Sequence, residues 1–273
     1  MKARKTLAAI NKALETEQET GHRKHLGASI VGKNCRRQIW YIFRWFKREK
    51  FEGRMLRLFE RGHREEKRIH ALLKAAGVTV WDVNPDTGEQ FRAKSCDGHF
   101  GGSGDGMLYN VPDIPGEYAL LECKTHNEKS YRHLCNNGLS MSKVAHFEQL
   151  QWYMAKLGVK WCLYIAVNKN DDDIFPELIP LQPDVAARLD EKGASIIYSK
   201  NAPPRVNKSP GYFECKWCHF REICHYNEQP ERNCRTCQAS MPIEDGKWWC
   251  QAYTCELSDD EQRTGCNEHN PLA

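Results

Sequence analysis

The chain has 273 residues, with 40 Lys and Arg against 36 Asp and Glu and a formal net charge of +4. It is long enough to bury a substantial core, and its mild positive balance suits a polyanionic partner without requiring one. No stretch has the character of a signal peptide and no run of about 18 apolar residues occurs, so secretion and membrane insertion are excluded as expectations and a reducing cytoplasm is favoured.

Residues 1–26 are polar and charged and read as an N-terminal arm or helix. In GASIVGKNCRRQIWYIFRW, from Gly27, Ser29 is a candidate helix cap ahead of an aromatic, branched run. Apolar spacing of three and four through MLRLFERGHREEKRIHALLKAAG predicts a helix that Gly77 ends. Strands follow over VTVWDV, around Glu89 to Lys94, from His99 to Tyr109 and from Tyr118 to Lys124, the last two joined by VPDIPG. Ser142 to Leu157 reads as an amphipathic helix, WCLYIAVN as a buried strand, FPELIPL as another strand and Pro183 to Ser199 as a helix. This order predicts an α/β core with a central mixed sheet flanked by helices.

In GGSGDG the glycines are expected to let the backbone turn and leave the Asp105 carboxylate unobstructed. Glu122 and Lys124, two apart on the next strand, share a face while Cys123 points away. Carboxylates bind hard divalent ions, and a nearby ammonium orients water or offsets phosphate charge. Alone, three such residues are common on strands and turns.

Thirteen cysteines make a second signal, eight of them from Cys215 onward. Cys215-x2-Cys218-x5-Cys224 lacks a fourth ligand for a tetrahedral zinc or iron-sulfur site. Cys35 is one candidate; His219 or His225 would complete a zinc site instead. Cys234-x2-Cys237-x12-Cys250-x15-Cys266-x2-His269 fits a zinc knuckle closed by Cys266 or His269, with structural Zn²⁺ stapling a short segment. Cys255 reads as a spare thiol, and Cys96, Cys123, Cys135 and Cys162 read as small buried residues. His126 and His133 are left outside the site.

With D…ECK on the hairpin, RGHREE on the preceding helix and QLQWY on the following one, the sequence resembles the PD-(D/E)XK nuclease superfamily over roughly residues 27 to 170. The likeness is to its lambda-exonuclease-like and RecB-like branch. The resemblance implies a restriction-endonuclease-like core and a metal-dependent DNA exonuclease. Glu66 (His63 being the weaker choice), Asp105, Glu122 and the Cys123 carbonyl would hold Mg²⁺ or Mn²⁺. Lys124 would act on the attacking water, and Gln149 and Tyr153 would contact DNA beside the site. It further implies a [4Fe-4S] cluster on Cys35, Cys215, Cys218 and Cys224. Phage or bacterial recombination, a single-strand annealing partner, a homo-oligomer such as a ring, and a bacterial host cytoplasm follow from the same likeness. The expected organisation is an arm over 1–26, a nuclease core over 27–230 closed by the iron-sulfur staple, and a knuckle over 231–273. The competing reading is a nucleic-acid-binding or scaffold protein that keeps fold and staples without cutting.

Overall fold

The computed structural model describes residues 2–18 and 21–272. Of the expected arm, residues 1, 19 and 20 therefore lie outside the described residues. In chain order the helices are α1 (Arg4–Glu17), α2 (Ala28–Val31), α3 (Arg36–Phe43), α4 (Gly53–Ala75), α5 (Glu128–Ser142), α6 (Val144–Leu157), α7 (Pro183–Ile197), α8 (Phe213–Lys216), α9 (Arg221–Tyr226) and α10 (Asp259–Thr264). The strands are β1 (Leu26–Gly27), β2 (Thr79–Trp81), β3 (Arg92–Ser95), β4 (Phe100–Ser103), β5 (Gly106–Val111), β6 (Ile114–His126), β7 (Trp161–Asn168), β8 (Ile174–Pro180), β9 (Ser240–Pro242), β10 (Trp248–Cys250) and β11 (Cys255–Leu257). No described helix is long and apolar enough to cross a membrane. The elements gather into two compact units, the first made of Met1–Gly21, Lys50–Arg92 and Ser103–Pro183, the second of His22–Glu49, Ala93–Gly102 and Asp184–Ala273.

The first unit is built on a five-stranded mixed sheet in the order β2-β5-β6-β7-β8. β6 is antiparallel to β5 and parallel to β7, with β7 antiparallel to β8. Buried on both faces, β7 reads as a continuous apolar run, the pattern such a strand requires. Ile69 of α4 packs with Val80, Leu108, Leu121, Leu163 and Ile165 in one apolar cluster, which sets α4 against a sheet face. α1 is anchored on α4 by polar contacts: Glu15 accepts the Gly53 N–H at 2.7 Å, and Arg57 donates to Asn11 at 2.6 Å. The expected N-terminal segment is thus a helix fixed to the sheet's own helix.

Two expectations about this unit change. The strand foreseen from His99 to Tyr109 is broken into β4 and β5, with Asp105 in the gap. There the Asp105 carboxylate accepts the Cys123 N–H at 2.8 Å, a side chain standing in for a ladder carbonyl. The glycines beside it serve close approach and not a left-handed turn, for neither is among the positive-φ positions. A Cβ on Gly106 would stand 3.0 Å from the Trp81 carbonyl oxygen, and one on Gly104 would strike the Leu120 side chain. Cys135, foreseen as a buried residue, is exposed on the outer side of α5, a helix the apolar spacing did not reveal.

In the second unit β1, β4 and β3 form a small sheet, and β9, β10 and β11 form another. Ser29 does not cap a helix: Gly27 holds the cap position of α2, and Ser29 lies within its single turn. α3 starts instead on Cys35, whose sulfur accepts the Gln38 N–H at 3.4 Å. α10 opens with a reciprocal Ser258–Glu261 capping box, which satisfies two donors a short helix would otherwise leave open. The core of this unit is aromatic, with Trp40, Phe43, Trp45, Phe46 and Trp248 buried. Arg235 lies among these rings, its guanidinium carbon 3.7 Å from the Trp45 ring centre and 4.6 Å from that of Trp248.

Candidate active site

Within the first unit, alternation along β6 puts Glu122 and Lys124 on one face and turns Cys123 toward the apolar cluster. Glu122 is 1% exposed, and the Lys124 ammonium bonds to it directly. The same ammonium lies 3.6 Å from Asp105 and donates to the Cys123 carbonyl at 3.2 Å. Glu66, on α4, lines a cavity of about 470 Å³ together with Asp105, Cys123, Lys124, Thr125 and the exposed His63. The helix and both hairpin strands therefore bring Glu66, Asp105 and Lys124 to one opening, with Glu122 beneath Lys124.

Electrostatics tie the acids together. Burial, then the Asp105 charge, raises Glu66 to about 7 against the pull of Lys124 and Lys67. Glu122 is pushed well above the usual carboxylate range by burial; Lys124 opposes this, and Asp105 and Glu66 add to it. Burial alone would lower Lys124, but Glu122 and Asp105 overrule it and hold the ammonium charged. Oε2 of Glu122 is buried without a hydrogen-bond partner. An orphaned carboxylate oxygen among like charges is costly unless a cation meets it, so this donor set suits a hard divalent ion.

Sequence reasoning missed part of the surroundings. Tyr164 pairs with Glu122 in the β6–β7 register, and its hydroxyl lies 3.1 Å from His126 Nε2 and 3.2 Å from His146 Nδ1. Burial lowers both imidazoles to about 4 and keeps them neutral. Tyr164 sits inside a buried run and His146 carries no motif, so nothing in the text set them apart. His70, one helical turn beyond Glu66, is buried with Nε2 unpartnered. His133 is exposed on α5. Gln149 and Tyr153 lie on α6 and are buried; neither is among the residues lining the cavity. The face they share is turned inward.

The second unit holds the cysteine sets. Cys35, Cys215, Cys218 and Cys224 line one small cavity, with His225 at the same opening. Burial raises Cys218, and the Cys35, Cys224 and Cys215 charges add to the rise. His219 is turned away, its Nε2 3.0 Å from the Arg48 carbonyl oxygen. In the C-terminal set, burial and then Cys266, Cys237 and Cys250 raise Cys234 to about 11. His269 Nε2 instead lies 3.1 Å from the Thr236 hydroxyl. Cys255 pairs with Cys250 across β10 and β11. Among the described residues no group of three or more His, Cys, Asp or Glu side chains stands in a metal-holding arrangement, so both thiol sets are gathered without being closed around a point.

The first unit is thus a mixed α/β layer with an acidic cluster and one lysine at the break between β4 and β5. No protein-family profile matches the chain, and no curated protein matches it. Among solved structures it is similar to LHK-Exo in complex with dAMP, at 18% identity and a TM-score of 0.47, over 69% of this chain and 90% of that one. It is also similar to SSO0001, at 16% identity and 0.45, over 83% and 98%. A third likeness is to the alkaline exonuclease LHK-Exo from Laribacter hongkongensis, at 16% and 0.45, over 68% and 90%. Overlap at this level is partial, and the chemistry of the site rests on its own residues.

Proposed function

We propose that this protein is a metal-dependent DNA exonuclease. The observation that carries the reading is the buried Glu122, with one oxygen on the Lys124 ammonium and the other unpartnered, grouped with Asp105 and Glu66. Glu66, Asp105, Glu122 and the Cys123 carbonyl are the oxygens that would hold Mg²⁺ or Mn²⁺. Bound there, such ions lower the pKa of water and offset the charge that builds on a phosphodiester. Lys124, held charged by two carboxylates, orients the attacking water and neutralises a phosphate oxygen. Asp105 fixes the hairpin by taking the Cys123 N–H, which aims the adjoining carbonyl and ammonium. Gln149 and Tyr153 support the β6 face from α6 in this reading, since their burial favours packing over direct contact with DNA.

The thiols have separate structural roles. Cys35, Cys215, Cys218 and Cys224 would hold a [4Fe-4S] cluster, because four thiols share the cavity while His219 is engaged elsewhere. Cys234, Cys237, Cys250 and Cys266 would hold Zn²⁺, with His269 outside the set. A recombination setting, an annealing partner and a ring rest on the sequence resemblance alone. The test incubates end-labelled linear duplex and closed circular duplex with the protein in Mg²⁺, in Mn²⁺ and in chelator. Shortening of the linear substrate in either metal but not in chelator, with the circle spared, supports the reading; no metal-dependent loss of label overturns it.

A further inference from the structure

Arg44, which follows α3 in the second unit, is 2% exposed, yet none of its described partners is a carboxylate. Nη1 donates to the Arg235 carbonyl at 3.2 Å and to the Ser240 carbonyl at 3.1 Å, while Nε is buried without a partner. The guanidinium carbon stands 4.9 Å from the ring centre of Trp248 and 5.6 Å from that of Trp40. Burial lowers Arg44 to about 10, and the Cys237 thiol is the group whose negative charge would offset this. A buried guanidinium without an anion is costly to keep.

The side chain lines a cavity of about 160 Å³, shared with Lys200, Tyr198, Gln238, Ser240 and Gln251. No Asp or Glu lines it. The nearby Asp97 carboxylate is engaged by the Tyr198 hydroxyl at 2.6 Å. Two cations, hydroxyls and amides around a space of this size form an electropositive recess rich in donors and able to admit a tetrahedral oxyanion. We infer that this cavity is a phosphate-binding site in which Arg44 and Lys200 supply the charge and Gln238, Ser240 and Gln251 the neutral donors. A planar guanidinium and a mobile ammonium suit phosphoryl oxygens, whether on free phosphate or in a nucleic-acid backbone. The site uses none of the acids of the first unit and stands whether or not the chain cuts DNA.

The full chain, without added divalent ion, is titrated with inorganic phosphate by calorimetry at constant ionic strength. Saturable binding, weakened about tenfold or more by Lys200→Gln and by Arg44→Lys, is expected from the loss of one charge-assisted contact. Lys200→Gln carries the test if Arg44→Lys fails to fold, which its circular dichroism reveals. A wild-type titration that does not saturate, a Lys200→Gln variant as tight as wild type, or acetate displacing phosphate at equal concentration would each overturn the site. Closed circular single-stranded DNA then separates the sources. If it displaces phosphate, the ligand is the backbone phosphodiester; if it does not while phosphate still saturates, the ligand is a free phosphate.

Discussion

Replacing Glu66 by Gln should stabilise the metal-free protein at high pH while removing its activity. Folding raises this carboxyl from 4.5 to about 7, by burial first and the Asp105 charge second. Between those values the native state holds a proton that the unfolded chain has released, so stability falls as pH rises through the window. Above it the native protein carries the whole penalty of a charged Glu66; below it, none. At about 1.4 kcal/mol per pH unit the ceiling is roughly 3 kcal/mol, and partial exposure reduces it to about 1–2 kcal/mol. Gln keeps the shape of the protonated acid without the charge. Urea unfolding followed by tryptophan fluorescence in chelator should therefore show Glu66→Gln more stable by about 1–2 kcal/mol at pH 8 and nearly equal to wild type at pH 4.5. Saturating Mg²⁺ at pH 8 should reverse the order, because only the wild type keeps the full set of oxygens. A variant less stable than wild type at pH 8, or equally stabilised at both pH values, would refute the account of the cluster.

Lys124→Met leaves Glu122 buried without its ammonium and should cost about 3 kcal/mol at pH 8 by the same unfolding assay. The loss should shrink toward pH 5, where Glu122 takes up a proton; a pH-independent loss would show that packing and not charge is at stake. Cys266→Ala should abolish bound zinc by mass spectrometry, while His269→Ala, whose ring contacts Thr236, should leave it in place. The opposite result would move the fourth ligand to the histidine. Anaerobically purified protein should be brown with broad visible absorbance, and Cys224→Ser should bleach it; a colourless wild type with zinc alone would replace the cluster by a zinc site.

Where periodicity reports burial, the sequence was legible. WCLYIAVN matches β7 residue for residue, and Gly77, at φ +85, stands just beyond α4. Glu66, Asp105 and Lys124 do reach one cavity, because order along the chain and strand alternation suffice to bring them there. What stayed hidden depends on contacts between segments distant in the chain. The break that frees Asp105 arises from its bond to the Cys123 N–H and from the tight space around Gly104 and Gly106, none of which has a local signature. Tyr164 with His126 and His146 is visible only once β6, β7 and α6 are packed together. The spacing of the last cysteines could not separate Cys266 from His269; the Thr236 hydroxyl beside His269 does.

The most direct test of the central claim compares wild type with Glu122→Gln and Lys124→Ala on end-labelled linear duplex in Mg²⁺ or Mn²⁺, each variant first shown to be folded. The account predicts metal-dependent shortening by wild type and rates at least about 100-fold lower in both variants. Undiminished cutting by either folded variant would contradict it.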